Sequence, residues 1–161
     1  MAAVMNIGGT PSQADFHRAI NDRSDRWYSA CLKITRNPDL AADAVQDALL
    51  NAWNKRDQFR STSRLDTWIH RIAINAALNL LRKSRPGVFE ALENDLEDLD
   101  RGPDQSLLDH ELESHLAEAL AHLTEVERIC FVLKHLEQWR VPEISAELGI
   151  NEGRVKQAIF R

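Results

Sequence analysis

Five residues near the end of the chain, Glu152, Arg154, Lys156, Gln157 and Arg161, have side chains suited to reading duplex DNA. Arginine pairs with guanine edges, glutamine pairs with adenine edges, and lysine holds phosphate. All five follow Asn151, a good helix N-cap, and share a helix with Val155 and Ile159, which stand four apart and face inward. That arrangement leaves the five exposed. Upstream, Pro142 opens a short helix with Ile144 and Leu148 on its buried side, Gly149 supplies backbone freedom for a sharp turn, and Ile150 fills the corner. The spacing predicts a helix-turn-helix whose second helix presents polar donors to a major groove. An ordinary helical hairpin with a solvated face is the plainer alternative.

A second set of cations lies further back. Between residues 55 and 85 stand Lys55, Arg56, Arg60, Arg64, Arg71, Arg82, Lys83 and Arg85 against only Asp57 and Asp66. From 90 to 104 the balance reverses, with Glu90, Glu93, Asp95, Glu97, Asp98, Asp100 and Asp104 against Arg101 alone. The net charge of −5 therefore hides a basic block followed by an acidic one.

The elements that must position these residues read as helices throughout. Glycine is scarce, at 6 residues in 161, and Ala, Leu, Glu, Arg and Gln are abundant. Thr10-Pro11-Ser12-Gln13 predicts a helix start, with Thr10 as cap, and Phe16, Ile20, Trp27, Cys31 and Ile34 carry its apolar stripe to about Arg36. Asn37-Pro38 restarts the chain. Residues 38–54 put Leu40, Ala44, Val45, Ala48, Leu49 and Trp53 on one side, with Asp39, Asp43, Gln46, Asp47 and Asn51 mostly on the other.

Ser63 with Asp66 reads as a capping box for a helix over 64–83, with Leu65, Trp68, Ile69, Ile72, Ala73, Ala76 and Leu80 inward and Pro86-Gly87 as its stop. The acidic stretch to Gly102-Pro103 reads as a linker. A further amphipathic run covers 107–123, and the box Thr124-Glu125-Val126-Glu127 opens a helix to about Gln138.

Several classes are excluded. No stretch is long and apolar enough to span a bilayer, and MAAVMNIGGTP lacks the basic start and apolar core of a secretory signal, so a cytoplasmic protein is expected. Cys31 and Cys130 form no CxxC and read as two small buried residues. His17, His70, His110, His115, His122 and His135 form no HExxH, and no glycine-rich phosphate loop or Ser/His/Asp set stands out. The expectation is a protein with no catalytic site, cofactor or metal.

Two stretches carry a resemblance. AADAVQDALLNAWNKRDQFRSTSRLDTWIHRIAINAALNLLRKSR resembles region 2 of bacterial sigma factors of the extracytoplasmic-function (ECF) group, and LTEVERICFVLKHLEQWRVPEISAELGINEGRVKQAIFR resembles their region 4. The resemblance implies an all-α fold of two small helical domains, region 2 over 10–86 and region 4 over 107–161, joined by an acidic linker over 87–106. It also implies a transcription initiation factor that binds core RNA polymerase, through its β and β′ subunits, and directs it to promoter DNA.

Asp43, Gln46, Asp47 and Asn51 then fall where the family grips a coiled coil of β′. Arg60, Ser61, Arg64, Trp68, Arg71, Asn75, Arg82 and Lys83 fall where it reads and melts the minus-10 element. Such reading needs a cationic groove and pockets for unstacked bases. Glu152, Arg154, Lys156, Gln157 and Arg161 fall on the minus-35 reader. The linker's carboxylates could mimic a phosphate backbone inside polymerase channels. An anti-sigma factor or a kinase acting on Ser61, Thr62 or Ser63 would be a regulator of the family's kind.

Three features depart from the family pattern. Ala42 stands where an acid is common, and Leu65 and Asp66 stand where an aromatic and often a basic residue are usual. An acid so near the promoter strand is unfavourable unless it serves only as the helix cap. The recognition helix also stops at Arg161, short of the basic stretch with which relatives continue, as in a shortened or processed chain. The alternative function is a duplex-binding activator of the response-regulator type, which shares the helix-turn-helix but carries an α/β receiver. No strand pattern supports that receiver. A purely structural helical adaptor explains neither the split charge nor the paired motifs.

Overall fold

The computed structural model describes residues 9–60, 62–87 and 111–160. Ser61, Arg161, the stretch 88–110 that holds nearly all of the expected linker, and the start of the expected 107–123 helix lie outside the described residues. Among the described residues every regular element is helical. They divide into two units, Met1–Leu81 and Arg82–Arg161, with the division falling inside one helix.

The first unit is built on α1 (Gln13–Thr35), α2 (Pro38–Asn54) and most of α3 (Leu65–Ser84). The cap of α1 is Ser12 rather than Thr10: its hydroxyl accepts from the Asp15 amide while the Asp15 carboxylate accepts from the Ser12 amide. Those bonds, with the Arg18 guanidinium, hold the Asp15 carboxyl below the ordinary carboxylate range despite some burial. The helix ends on Arg36 in the left-handed region, φ 53°, and Asn37 caps α2 by accepting from the amides of Asp39 and Leu40.

The core of α2 is narrower than expected. Ala41, Ala44, Ala48 and Ala52 are fully buried, Leu40, Val45 and Leu49 are half-buried, and Trp53 is 36% exposed. These alanines repeat at three and four residues, so a stripe of small side chains lets α1 pack close to α2.

In α3 the buried set is Leu65, Ile69, Ala73, Ile74, Ala76, Ala77, Leu78 and Leu81 together with Asp66, whereas Trp68, Ile72 and Leu80 are only half-buried. The expected inward stripe is thus rotated. Among the bonds that tie α1 to α3, the Trp27 indole N–H donates to the Asp66 carbonyl at 3.2 Å, the Cys31 thiol donates to the Ala73 carbonyl at 3.4 Å, and Arg23 Nε donates to the Asp66 carboxylate.

The second unit takes in the last turn of α3 with α4 (Glu111–Ala121), α5 (Glu125–Phe131), α6 (Val141–Leu148) and α7 (Glu152–Phe160). Thr124 and Glu127 form the expected capping box of α5. The helix does not run regularly to Gln138: Val132–Leu136 widen into a π-helical turn, closed by the Glu137 amide on the Val132 carbonyl. Gln138 then takes φ 63°, and Trp139 turns into the core as its amide donates to the Leu133 carbonyl. Val126, Ile129, Val132, Leu133, Ile144, Leu148, Val155 and Ala158 form the core of this unit with Trp139. Cys31 and Cys130 are both buried and neither forms a disulfide, as their sequence context suggested.

Candidate polymerase and nucleic-acid interfaces

Packing of the alanine stripe inward turns the opposite side of α2 fully outward. Asp43, Gln46, Asp47 and Asn51 are all exposed there, beside Asp39 and Ala42. Leu50 lies in the same face and is 64% exposed, which the sequence reading had not singled out. An exposed leucine ringed by acids and amides suits a partner surface that is cationic with an apolar notch. At the end of the helix, Trp53 packs edge-on against Phe16, with ring centroids 5.2 Å apart, and the Arg56 guanidinium lies 4.0 Å over its ring.

The approach to α3 gathers a different set. Arg60, Thr62, Ser63 and Arg64 are exposed. Trp68 is half-buried and tilted against Phe59, centroids 5.4 Å apart, so it is a partly open aromatic surface and not a core residue. Asp66 does not serve as the helix cap. Its carboxylate accepts from Arg23 Nε at 3.2 Å and pairs with Arg64 Nη2 at 3.3 Å, so one acid is flanked by two cations. No local sequence signal reveals that pairing, because Arg23 lies 43 positions away.

Further along α3, Arg71 and Asn75 are half-buried, and the Asn75 Oδ1 is buried without a hydrogen-bond partner among the described residues. Lys83 is exposed. Arg82, counted with the second unit, is half-buried and donates to the Glu147 carbonyl, so it is not simply displayed to solvent. Ser61 lies outside the described residues.

The helix-turn-helix forms as the spacing predicts. Gly149 sits at φ 70° between α6 and α7, Ile150 is buried, and the Ser145 hydroxyl donates to the Ile150 carbonyl. The Asn151 side chain accepts from the Arg154 amide at 2.8 Å and so starts α7. Glu152, Lys156 and Gln157 are exposed, and Arg161 lies outside the described residues.

Two placements differ from expectation. Ala158 fills the inward position beside Val155, with Ile159 only half-buried. Arg154 is half-buried, and its Nε is buried with no hydrogen-bond partner among the described residues. Both follow from α5, which packs directly on α7 and covers part of this face. Burial there pushes the Cys130 thiol up to about 12; the Arg154 charge opposes that shift, and Glu127 adds to it.

Among the described residues no cluster of His, Cys, Asp and Glu could hold a metal ion, and no helix is long and apolar enough to cross a membrane.

Comparison with known proteins bears on both faces. Residues 20–86 match the Sigma-70 region 2 family, and residues 115–161 match the Sigma-70 region 4 family. The chain is 26% identical over 159 residues to the ECF RNA polymerase sigma factor SigW of Bacillus subtilis (strain 168), covering 92% of this chain and 85% of SigW. It is 30% identical over 129 residues to the ECF RNA polymerase sigma-E factor of Haemophilus influenzae, covering 74% of this chain and 68% of that protein. It is 32% identical over 130 residues to RNA polymerase sigma factor CarQ of Myxococcus xanthus, covering 80% and 74%. Among solved structures, the sigma factor RpoE in complex with the anti-sigma factor NepR from Bartonella quintana shares the fold, with TM-score 0.55, 24% identity, and 90% and 89% of the two chains covered. The region 2 match removes the case for a response-regulator activator, which has no such unit.

Proposed function

This chain belongs to the extracytoplasmic-function group of sigma-70 RNA polymerase sigma factors, and on that premise we propose how its surfaces divide the work. It is a transcription initiation factor that joins core RNA polymerase and directs it to promoters. Residues 10–86 act as the polymerase-binding and minus-10 unit, 107–161 as the minus-35 unit, and 87–106 as an acidic tether between them.

Asp43, Gln46, Asp47 and Asn51 grip the polymerase. Arg60, Ser61, Arg64, Trp68, Arg71, Asn75, Arg82 and Lys83 handle the minus-10 strand through charge, hydrogen bonds and an aromatic surface. Glu152, Arg154, Lys156, Gln157 and Arg161 face the minus-35 duplex, with the exposed Lys156 and Gln157 foremost. The chain works in the cytoplasm and carries no reaction of its own, because nucleotide chemistry belongs to the polymerase. An anti-sigma factor that covers the DNA-reading faces, or a kinase acting on the exposed Thr62 and Ser63 or on Ser61, would regulate it.

The observation that carries this division is α2: a wholly buried alanine stripe on one side and an exposed acidic face on the other. A face of that sign repels DNA and suits a basic protein surface, whereas the approach to α3 is cationic. Transcription by bacterial core polymerase on a library of genomic fragments, with and without the purified chain, tests the reading. Discrete new start sites sharing two upstream sequence elements are expected. Unchanged start sites would overturn it.

A further inference from the structure

We propose that Asp66 is a positioning residue for promoter reading, holding the Arg64 guanidinium at the entrance of α3 while Arg23 balances its charge from α1. The proposal rests on the reading that this entrance meets the minus-10 strand. Taken alone, an acid at this place should repel the strand. The geometry removes the objection. The Asp66 side chain is only 10% exposed, and its Oδ2 lies 3.2 Å from Arg23 Nε and 3.3 Å from Arg64 Nη2. The Thr67 hydroxyl donates to Oδ1 at 3.4 Å, and the buried Trp27 indole fixes the Asp66 backbone through its carbonyl.

Two guanidinium groups and one carboxylate leave this cluster with a net charge of about +1, so the entrance stays cationic. A carboxylate this buried is unfavourable without a charged partner. Arg23 remains such a partner when Arg64 turns part of its donor set to a phosphate or a base. Arg64 itself is 66% exposed, so one end of a long side chain is tethered and most of it is open to nucleic acid. Tethering removes rotamer freedom before binding, and less is then lost when DNA arrives. Phe59, tilted against Trp68 with ring centroids 5.4 Å apart, adds an aromatic pair near the same helix start.

The experiment uses the full chain assembled with bacterial core polymerase. The probes are a short single-stranded DNA enriched by the wild-type holoenzyme from a random pool, and its scrambled counterpart. The readout is the ratio of their affinities. Asp66→Asn lowers that ratio about fivefold in the wild-type background and leaves it unchanged when Arg64→Ala is already present. Core-polymerase affinity is the same in all variants.

Asp66→Glu keeps a charge for Arg23 but displaces Arg64, and it repeats the pattern at smaller size even if Asp66→Asn folds poorly. Equal losses in both backgrounds would reduce Asp66 to a structural support and overturn the proposal. No loss in the wild-type background would also overturn it. Failure of Arg64→Ala itself to lower the ratio would overturn it together with the minus-10 role of Arg64, so the two failures are distinguishable.

Discussion

The entrance of α3 and the start of α7, both read as DNA-facing, treat an arginine in opposite ways. At α3, Arg64 is mostly exposed, and its guanidinium is held by a buried acid that a second arginine also holds. At α7, Arg154 is half-buried beside Cys130, and its Nε has no hydrogen-bond partner among the described residues. The first site places a cation by an ion pair reaching back to another helix. The second relies on which residues α7 displays, chiefly Lys156 and Gln157. Specificity at α3 should therefore depend on residues that never touch DNA, and specificity at α7 on those that do.

The strongest way to break the α3 arrangement is Trp27→Ala, which removes a fully buried indole and its bond to the Asp66 carbonyl. It should destabilise the first unit by about 3–5 kcal/mol in urea unfolding. A smaller loss would mean that the indole is not a pillar of the α1–α3 contact.

The corresponding break in the second unit is Arg128→Ala. Arg128 and Glu125 are both buried and pair at 3.6 Å, and Arg85 also donates to the Glu125 carboxylate at 3.0 Å. Removing Arg128 should cost about 3 kcal/mol in the same assay, at the low end for a broken buried pair because Arg85 remains.

Gln157→Ala sharpens the contrast at the level of DNA. It should lose about 1–3 kcal/mol at one minus-35 base pair and little at others, as measured by competition binding on single-base variants. Uniform loss on every sequence would make Gln157 a backbone contact.

A further test concerns pH. The Cys130 thiol is raised from 9.0 in the unfolded chain to about 12 in the folded one, so folding favours the neutral thiol. Its contribution to stability is complete below about pH 9 and declines as pH rises from there toward 12. The stability of Cys130→Ala should be flatter over that range in equilibrium unfolding. An equal slope in both proteins would assign the alkaline loss to other groups.

Much of this molecule was legible from one sequence because its signals are local. Caps at Asn37, Thr124 and Asn151, the turn at Gly149 and the split charge all depend on neighbours a few residues apart. What escaped depends on tertiary partners. The α3 stripe is rotated because Asp66 is drawn inward by Arg23, and a helical wheel has no place for a buried acid whose partner lies on another helix. In α2 the expected inward face was Leu40, Ala44, Val45, Ala48, Leu49 and Trp53, of which Ala44 and Ala48 are buried. Close packing on α1 selected the small alanines, Ala41 and Ala52 among them, and left Trp53 of the expected face at the surface. The π turn at 132–136 has no periodic signature, and it appears only as Trp139 is brought into the core.

The central claim is that the acidic face of α2 docks the chain on core RNA polymerase. The most direct test is the affinity of purified core polymerase for the full chain and for Asp47→Arg, with circular dichroism to confirm an unchanged fold. Asp47 is exposed, so the account predicts an intact helical spectrum and loss of binding. Binding retained by a folded Asp47→Arg chain would contradict it.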